Sequence, residues 1–168
     1  MHNLDNLFDQ LRSAIRDNDL AAVGNVVRSA IREQPLLPEF GSSRLLHGEP
    51  GLTVLHTVVN PGFVSPAHDH RTWAVIGVYE GQEDNTFYRL TGSRKIEQTG
   101  KCNLKEGEVL TLGIDAIHQI ANPLTHKLIA LHVYGKNIFE IERSAWDPST
   151  GSERPFKLAL DARGQVRS

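Results

Sequence analysis

The chain carries one cysteine, Cys102, in 168 residues. That excludes an internal disulfide framework and any zinc knuckle built on cysteines. Charge of neither sign is in excess: 18 Lys and Arg face 20 Asp and Glu, for a net charge of −2. This balance gives no electrostatic reason to expect nucleic acid or an anionic membrane surface as a partner. Long apolar runs are missing too, since none approaches the roughly 20 residues that span a bilayer. The opening M-H-N-L-D-N-L-F-D-Q lacks the basic segment and apolar core of a signal peptide. These absences predict a cytoplasmic protein. Histidine, by contrast, is plentiful, with eight residues against the single cysteine. Imidazole is therefore the metal ligand this chain offers in number.

At this length one domain with a real core is expected. Residues 1–38 read as a helical extension and residues 39–168 as a β-barrel. Leu4, Leu7, Phe8, Leu11 and Ile15 recur at helical spacing, and Ala22, Val23, Val26, Val27, Ala30 and Ile31 form a second stripe. Asp19 stands where it can cap that second helix. Each helix has one apolar face, so the pair is expected to cover the outside of a sheet. After Pro35-Leu36-Leu37-Pro38, short runs rich in Val, Ile, Leu, Thr and Tyr alternate with turn residues. Strands are predicted at Arg44–His47, Leu52–Val59, Ser65–His70, Trp73–Glu80, Asn85–Thr91 and Arg94–Gln98. Further ones are predicted at Val109–Leu112, His118–Asn122, Lys127–Val133, Phe139–Trp146 and Pro155–Leu160. The fold class is mainly β, a sandwich or barrel behind two helices.

The chemistry concentrates in two glycine-framed stretches. Gly62 to Gly81 contains His68-Asp69-His70, and on a strand residues two apart share a face. Gly107 to Asn122 contributes His118. Three neutral imidazoles converging from facing walls leave coordination positions open, as catalytic metal sites require.

These stretches resemble the two motifs of the cupin superfamily: Gly62, His68-x-His70 and Gly81, then Gly107, Gly113, His118 and Asn122. The resemblance implies a double-stranded β-helix (jelly-roll) barrel with a divalent metal on His68, His70 and His118. The first motif usually adds a glutamate ligand four or five residues after the second histidine, where this chain has Ala74 and Val75. Glu80 and Glu83 lie too far along for that role. Three histidines without a carboxylate are similar to the thiol dioxygenases, the family of cysteine dioxygenase and 3-mercaptopropionate dioxygenase.

That family carries a Ser-x-His-x-Tyr strand beside its iron, and here the run is Ala130-Leu131-His132-Val133-Tyr134. The segments His132 to Ile138 and Trp73 to Gly77 resemble the mercaptopropionate branch, in which an arginine at the place of Arg143 binds the substrate carboxylate. Arg44 is the nearest counterpart of the arginine used by the cysteine branch. The likeness spans Arg44 to Gly151. Its implications are iron(II), with zinc or nickel as other occupants, and oxidation of a small thiol acid to its sulfinic acid by O2. Tyr134, held by His132, is implied to donate a hydrogen bond to the bound oxygen or sulfur. A homodimer is compatible with the fold.

Two departures stand out. Ala130 replaces the serine, so the bond that orients His132 must come from elsewhere or be missing. The position of the tyrosine-linked cysteine of animal members falls near Val75, while Cys102 lies far along, close to a turn, so no cross-link is expected. Two other functions stay open: a three-histidine cupin oxygenase that cleaves a carbon–carbon bond of a diketone, and a cupin that binds metal or ligand without catalysis.

Overall fold

The computed structural model describes residues 2–17, 19–33, 41–92 and 95–167. The chain opens with α1 (His2–Arg16) and α2 (Leu20–Arg32). Asp19 caps α2 through its carboxylate, which accepts the backbone N–H of Ala22 at 3.0 Å, and so engages a donor that the helix itself leaves unpaired. The Pro35–Pro38 segment and the expected boundary at residue 38 lie outside the described residues.

Strands follow as β1 (Arg44–Glu49), β2 (Leu52–Val59), β3 (Ala67–Asp69), β4 (Ala74–Glu80), β5 (Gln82–Leu90), β6 (Ile96–Lys105), β7 (Val109–Leu112), β8 (Ile117–Ala121) and β9 (Leu128–Tyr134). The series closes with β10 (Arg143–Trp146), β11 (Glu153–Phe156), β12 (Ala159–Leu160) and β13 (Val166–Arg167). One sheet has the order β1-β2-β9-β4-β7 and the other β11-β10-β3-β8-β5-β6. The pairing follows one rule: β2 with β9, β3 with β8, β4 with β7, and β5 with β6, all antiparallel. This is a single long hairpin, with its tip between β5 and β6, wound into a helix. The pairs β4 with β9 and β5 with β8 join its successive turns. The fold is a double-stranded β-helix.

Alternation along β9 shows how the strands serve two cores. Leu128, Ala130 and Tyr134 pack in the inner cluster with Leu55, Ala74, Ile76 and Ile138. Leu131 and Val133 face the other way, into a cluster with Leu11, Val23, Val27 and Ile31 of the helices. The helices thus cover the outer face of the β2-containing sheet, as their apolar stripes predict. Gly77 allows the close approach: a Cβ there would stand 2.7 Å from Val27 Cγ1 and 3.0 Å from Ile31 Cγ2.

Several strands differ from the sequence expectation. The predicted Asn85–Thr91 strand begins earlier, at Gln82, and the one placed at Arg94–Gln98 runs from Ile96 to Lys105, with Arg94 outside the described residues. Cys102 accordingly sits within β6, opposite Asn85, and not beside a turn. Of the predicted Phe139–Trp146 strand only Arg143–Trp146 forms. Asn137 redirects the preceding residues, its side chain accepting the backbone N–H of Phe139 and its carbonyl that of Glu140. The single tail strand is instead two, β11 and β12, with β13 paired to the latter.

Candidate metal centre

The three histidines meet. His68 of β3 and His118 of β8 are register partners on adjacent strands, and His70, two positions beyond His68, lies on the same side. Their rings stand 4.8 to 5.0 Å apart centre to centre, and one ligand atom from each falls within 4.8 Å of the others. All three are buried.

Two of the rings are oriented by a bond at Nδ1. His68 Nδ1 lies 3.0 Å from the Pro66 carbonyl and so acts as donor. His118 Nδ1 lies 2.7 Å from Asn85 Oδ1, and Asn85 turns its amide that way because its Nδ2 donates to Glu83 Oε1 at 3.1 Å. With Nδ1 carrying the proton, Nε2 of each ring is left with a lone pair. His118 Nε2 lies 3.3 Å from His70 Nε2, and His70 Nδ1 has no hydrogen-bond partner among the described residues. A divalent cation bound at these nitrogens would engage the lone pairs together, so the residues fit a metal. The donor set suits iron(II), zinc or nickel alike.

Electrostatics keep the rings ready as ligands. Burial pushes His68 down to about 4, partly opposed by its bond to Pro66 and reinforced by Arg143. Burial, and then repulsion from His118 and His68, holds His70 well below the ordinary imidazole range. Burial, with His68 and His132 behind it, does the same for His118. The rings are neutral near pH 7, the form that binds metal.

The three rings open on a cavity of about 270 Å³, which His132, Tyr134 and Arg143 also line. Tyr134 stacks edge-on to His70, with ring centres 5.2 Å apart. Burial raises its phenol above the ordinary range, with Arg143 opposing and Glu83 adding to the effect. Arg143 is buried over the ring of Phe156, its guanidinium carbon 4.8 Å from the ring centre. Its Nε and Nη2 have no hydrogen-bond partner among the described residues. Burial lowers its pKa, opposed by Tyr134 and Asp69, yet a guanidinium stays charged.

Asp69, between His68 and His70, faces away from the cavity and fastens its wall. It accepts the backbone N–H of Ser144 at 2.8 Å and the Arg71 Nε–H at 2.6 Å. Arg71 itself takes a positive φ of 53°. Because Ser144 follows Arg143, this bond ties the arginine's strand to the strand of the histidines. Arg44 lies on the edge strand β1, outside the set of residues lining the cavity.

Two residues that the sequence reading passed over hold the interior together. Asn85 anchors His118, as above. Glu83 is buried without any exposure, and its Oε2 lies 3.3 Å from His132 Nε2. His132 Nδ1 in turn is 3.1 Å from the Tyr134 hydroxyl. The contact that Ala130 withholds from His132 is thus supplied by Glu83, which, as expected, is not in the three-histidine group. The signal available was the i, i+2 spacing of Glu83 and Asn85, which sends both side chains to one face of β5.

No family model matches the chain. Similar solved structures include proteins described as cupins. One is an RmlC-like cupin with a double-stranded β-helix fold from Methanocaldococcus jannaschii, at 16% identity, TM-score 0.49, covering 61% of this chain and 87% of that one. Another is an uncharacterised double-stranded β-helix protein from Klebsiella pneumoniae, at 16% identity, TM-score 0.48, covering 68% and 87%. An oxalate oxidase in complex with glycolate aligns at 17% identity, TM-score 0.43, over 52% of this chain. The chain spans only 43% of that oxidase's length. At these identities the likeness is one of fold, and the strand pairing described above establishes that fold independently. A double-stranded β-helix that buries three clustered histidines offers a divalent metal a ligand set. Among the described residues, no helix is long and apolar enough to cross a membrane.

Proposed function

We propose that this chain is a thiol dioxygenase that oxidises a small thiol carboxylic acid, of the 3-mercaptopropionate or cysteine kind, to its sulfinic acid with O2. His68, His70 and His118 would hold iron(II) through Nε2. Iron bound there supplies thiolate coordination and the activation of dioxygen.

The observation that carries the reading is Arg143. Two of its nitrogens are buried without a partner among the described residues, and the residue lines the cavity that the three histidine rings share. Burying a guanidinium without a partner is costly, and a substrate carboxylate is the partner whose geometry its planar fork suits. Held at that end, a short acid has its other end directed at the histidines, which supplies the proximity such a reaction needs. The cavity is smaller than the roughly 300–1,000 Å³ of drug-sized sites, in keeping with a small substrate. None of its lining residues is acidic, so an α-ammonium group would enter without an anionic partner. That favours the mercaptopropionate arm over cysteine. A diketone, having no carboxylate, would leave Arg143 unmatched.

The test is anaerobic iron loading followed by oxygen-uptake assays with 3-mercaptopropionate, cysteine and a β-diketone. Uptake matched by sulfinate from a thiol, with 3-mercaptopropionate preferred, is the expected result. Uptake with the diketone alone, or no uptake despite one iron per chain, would overturn it.

A further inference from the structure

We infer that Glu83 is a positioning residue: it fixes which nitrogen of His132 carries the ring proton, and so turns the hydroxyl proton of Tyr134 away from the cavity. Glu83 is sealed from solvent, and its Oε1 is engaged by the Asn85 amide at 3.1 Å. Its Oε2 and His132 Nε2 stand 3.3 Å apart. Neither atom has a hydrogen-bond partner among the described residues, so the carboxylate facing the ring nitrogen at this distance is what biases the ring's protonation. A carboxylate oxygen accepts and does not donate, so it selects the ring with the proton on Nε2. Nδ1 then holds a lone pair, and the group 3.1 Å from it is the Tyr134 hydroxyl. Tyr134 is therefore the donor in that bond. Its oxygen lone pairs, not its proton, are left for the cavity that the residue lines.

This orientation reverses the role that the family resemblance implies, a tyrosine donating to the bound ligand. Under the thiol dioxygenase reading, on which this consequence rests, the Tyr134 oxygen accepts a hydrogen bond from the S–H of the incoming thiol. The same strand serves both rings: Asn85 fixes His118 and Glu83 fixes His132, two positions apart on β5. Direct metal ligation by Glu83 is not part of this role, since its carboxylate lies outside the ligand cluster.

Replacing Glu83 by Gln tests the assignment with almost no change in shape. Asn85 Nδ2 still demands an acceptor, which fixes the new amide oxygen toward Asn85 and leaves its NH2 facing His132. An NH2 group selects the opposite tautomer, with Nε2 bare and Nδ1 protonated. Ring ¹⁵N shifts of His132, recorded on the metal-free protein without thiol, read the tautomer directly. The expected result is Nε2–H in the wild type and Nδ1–H in Glu83→Gln. Any other pattern, including the same tautomer in both, overturns the assignment. Should Glu83→Gln not fold, Tyr134→Phe decides. Loss of a hydroxyl donor moves the bare Nδ1 resonance downfield, and an unmoved Nδ1 resonance overturns the assignment. Because these spectra need neither iron nor substrate, they stand or fall separately from the oxygen-uptake assay, which judges the thiol reading itself.

Discussion

Asn85 does not line the cavity, yet it decides how His118 would present itself to a metal. Its Oδ1 accepts a hydrogen bond from the Nδ1–H at 2.7 Å, and such outer partners commonly govern metal affinity by about 10- to 100-fold. Asn85→Ala should weaken binding of a spectroscopic divalent ion such as cobalt(II) by about that factor. Stoichiometric binding of unchanged affinity would show that the ring is held by other means. Arg143 makes a different prediction at the same scale. Losing a buried charged partner typically costs about 2 kcal/mol or more, so Arg143→Leu should lower kcat/KM for a thiol acid at least ~30-fold. Metal content should stay at the wild-type level, because no ligand is lost. Turnover with undiminished kcat/KM would remove the carboxylate clamp from the mechanism.

Elements were legible in the sequence where their apolar residues faced a core, and less so where they did not. Leu52–Val59 and Val109–Leu112 match β2 and β7 end to end, because each carries the β-branched and aliphatic run that a half-buried strand demands. The clustering of His68, His70 and His118 could be read from i, i+2 spacing and glycine framing. The β5–β6 hairpin was the weak point. Its first residues, Gln82, Glu83, Asp84 and Asn85, are polar, and the buried ones among them, Glu83 and Asn85, point inward. A period-two reading that sends apolar residues inward cannot register polar ones placed there to grip histidines. The helices gave the opposite case, since their stripes foretold the sheet face they cover. The fit there is tight: Gly77→Ala on β4 should crowd Val27 and Ile31 and cost about 1–3 kcal/mol by overpacking. Thermal unfolding should show a lower Tm with metal affinity intact, the glycine lying on the face away from the histidines. A Tm equal to wild type would mean that α2 yields without cost.

For the molecule as a whole, the histidine cluster is also a stability liability that depends on pH. Three imidazoles are buried in neutral form, with His68 pushed down to about 4 and His70 and His118 well below their ordinary value. The unfolded chain takes up their protons near the ordinary 6.5, while the folded chain refuses them. Below that pH the unfolded state binds more protons, so stability falls as pH falls and is complete only above it. Each such histidine contributes about 1.4 kcal/mol per pH unit in this window. The loss from His68 ends near its folded value of about 4. A divalent metal held by the folded cluster would oppose unfolding, because the scattered histidines of the unfolded chain bind it more weakly. Its hold also weakens with acid, as protons compete for the same nitrogens. The metal-free protein should therefore show a Tm that declines steeply below about pH 6.5. Added zinc should raise Tm near neutrality and lose that effect towards about pH 5. Replacing His70 with Leu separates the two contributions: it should abolish the zinc-induced rise and flatten the acid slope by about one histidine's share. A zinc effect that survives in His70→Leu, or a metal-free Tm indifferent to acid, would mean that the cluster is not the buried neutral ligand set described here.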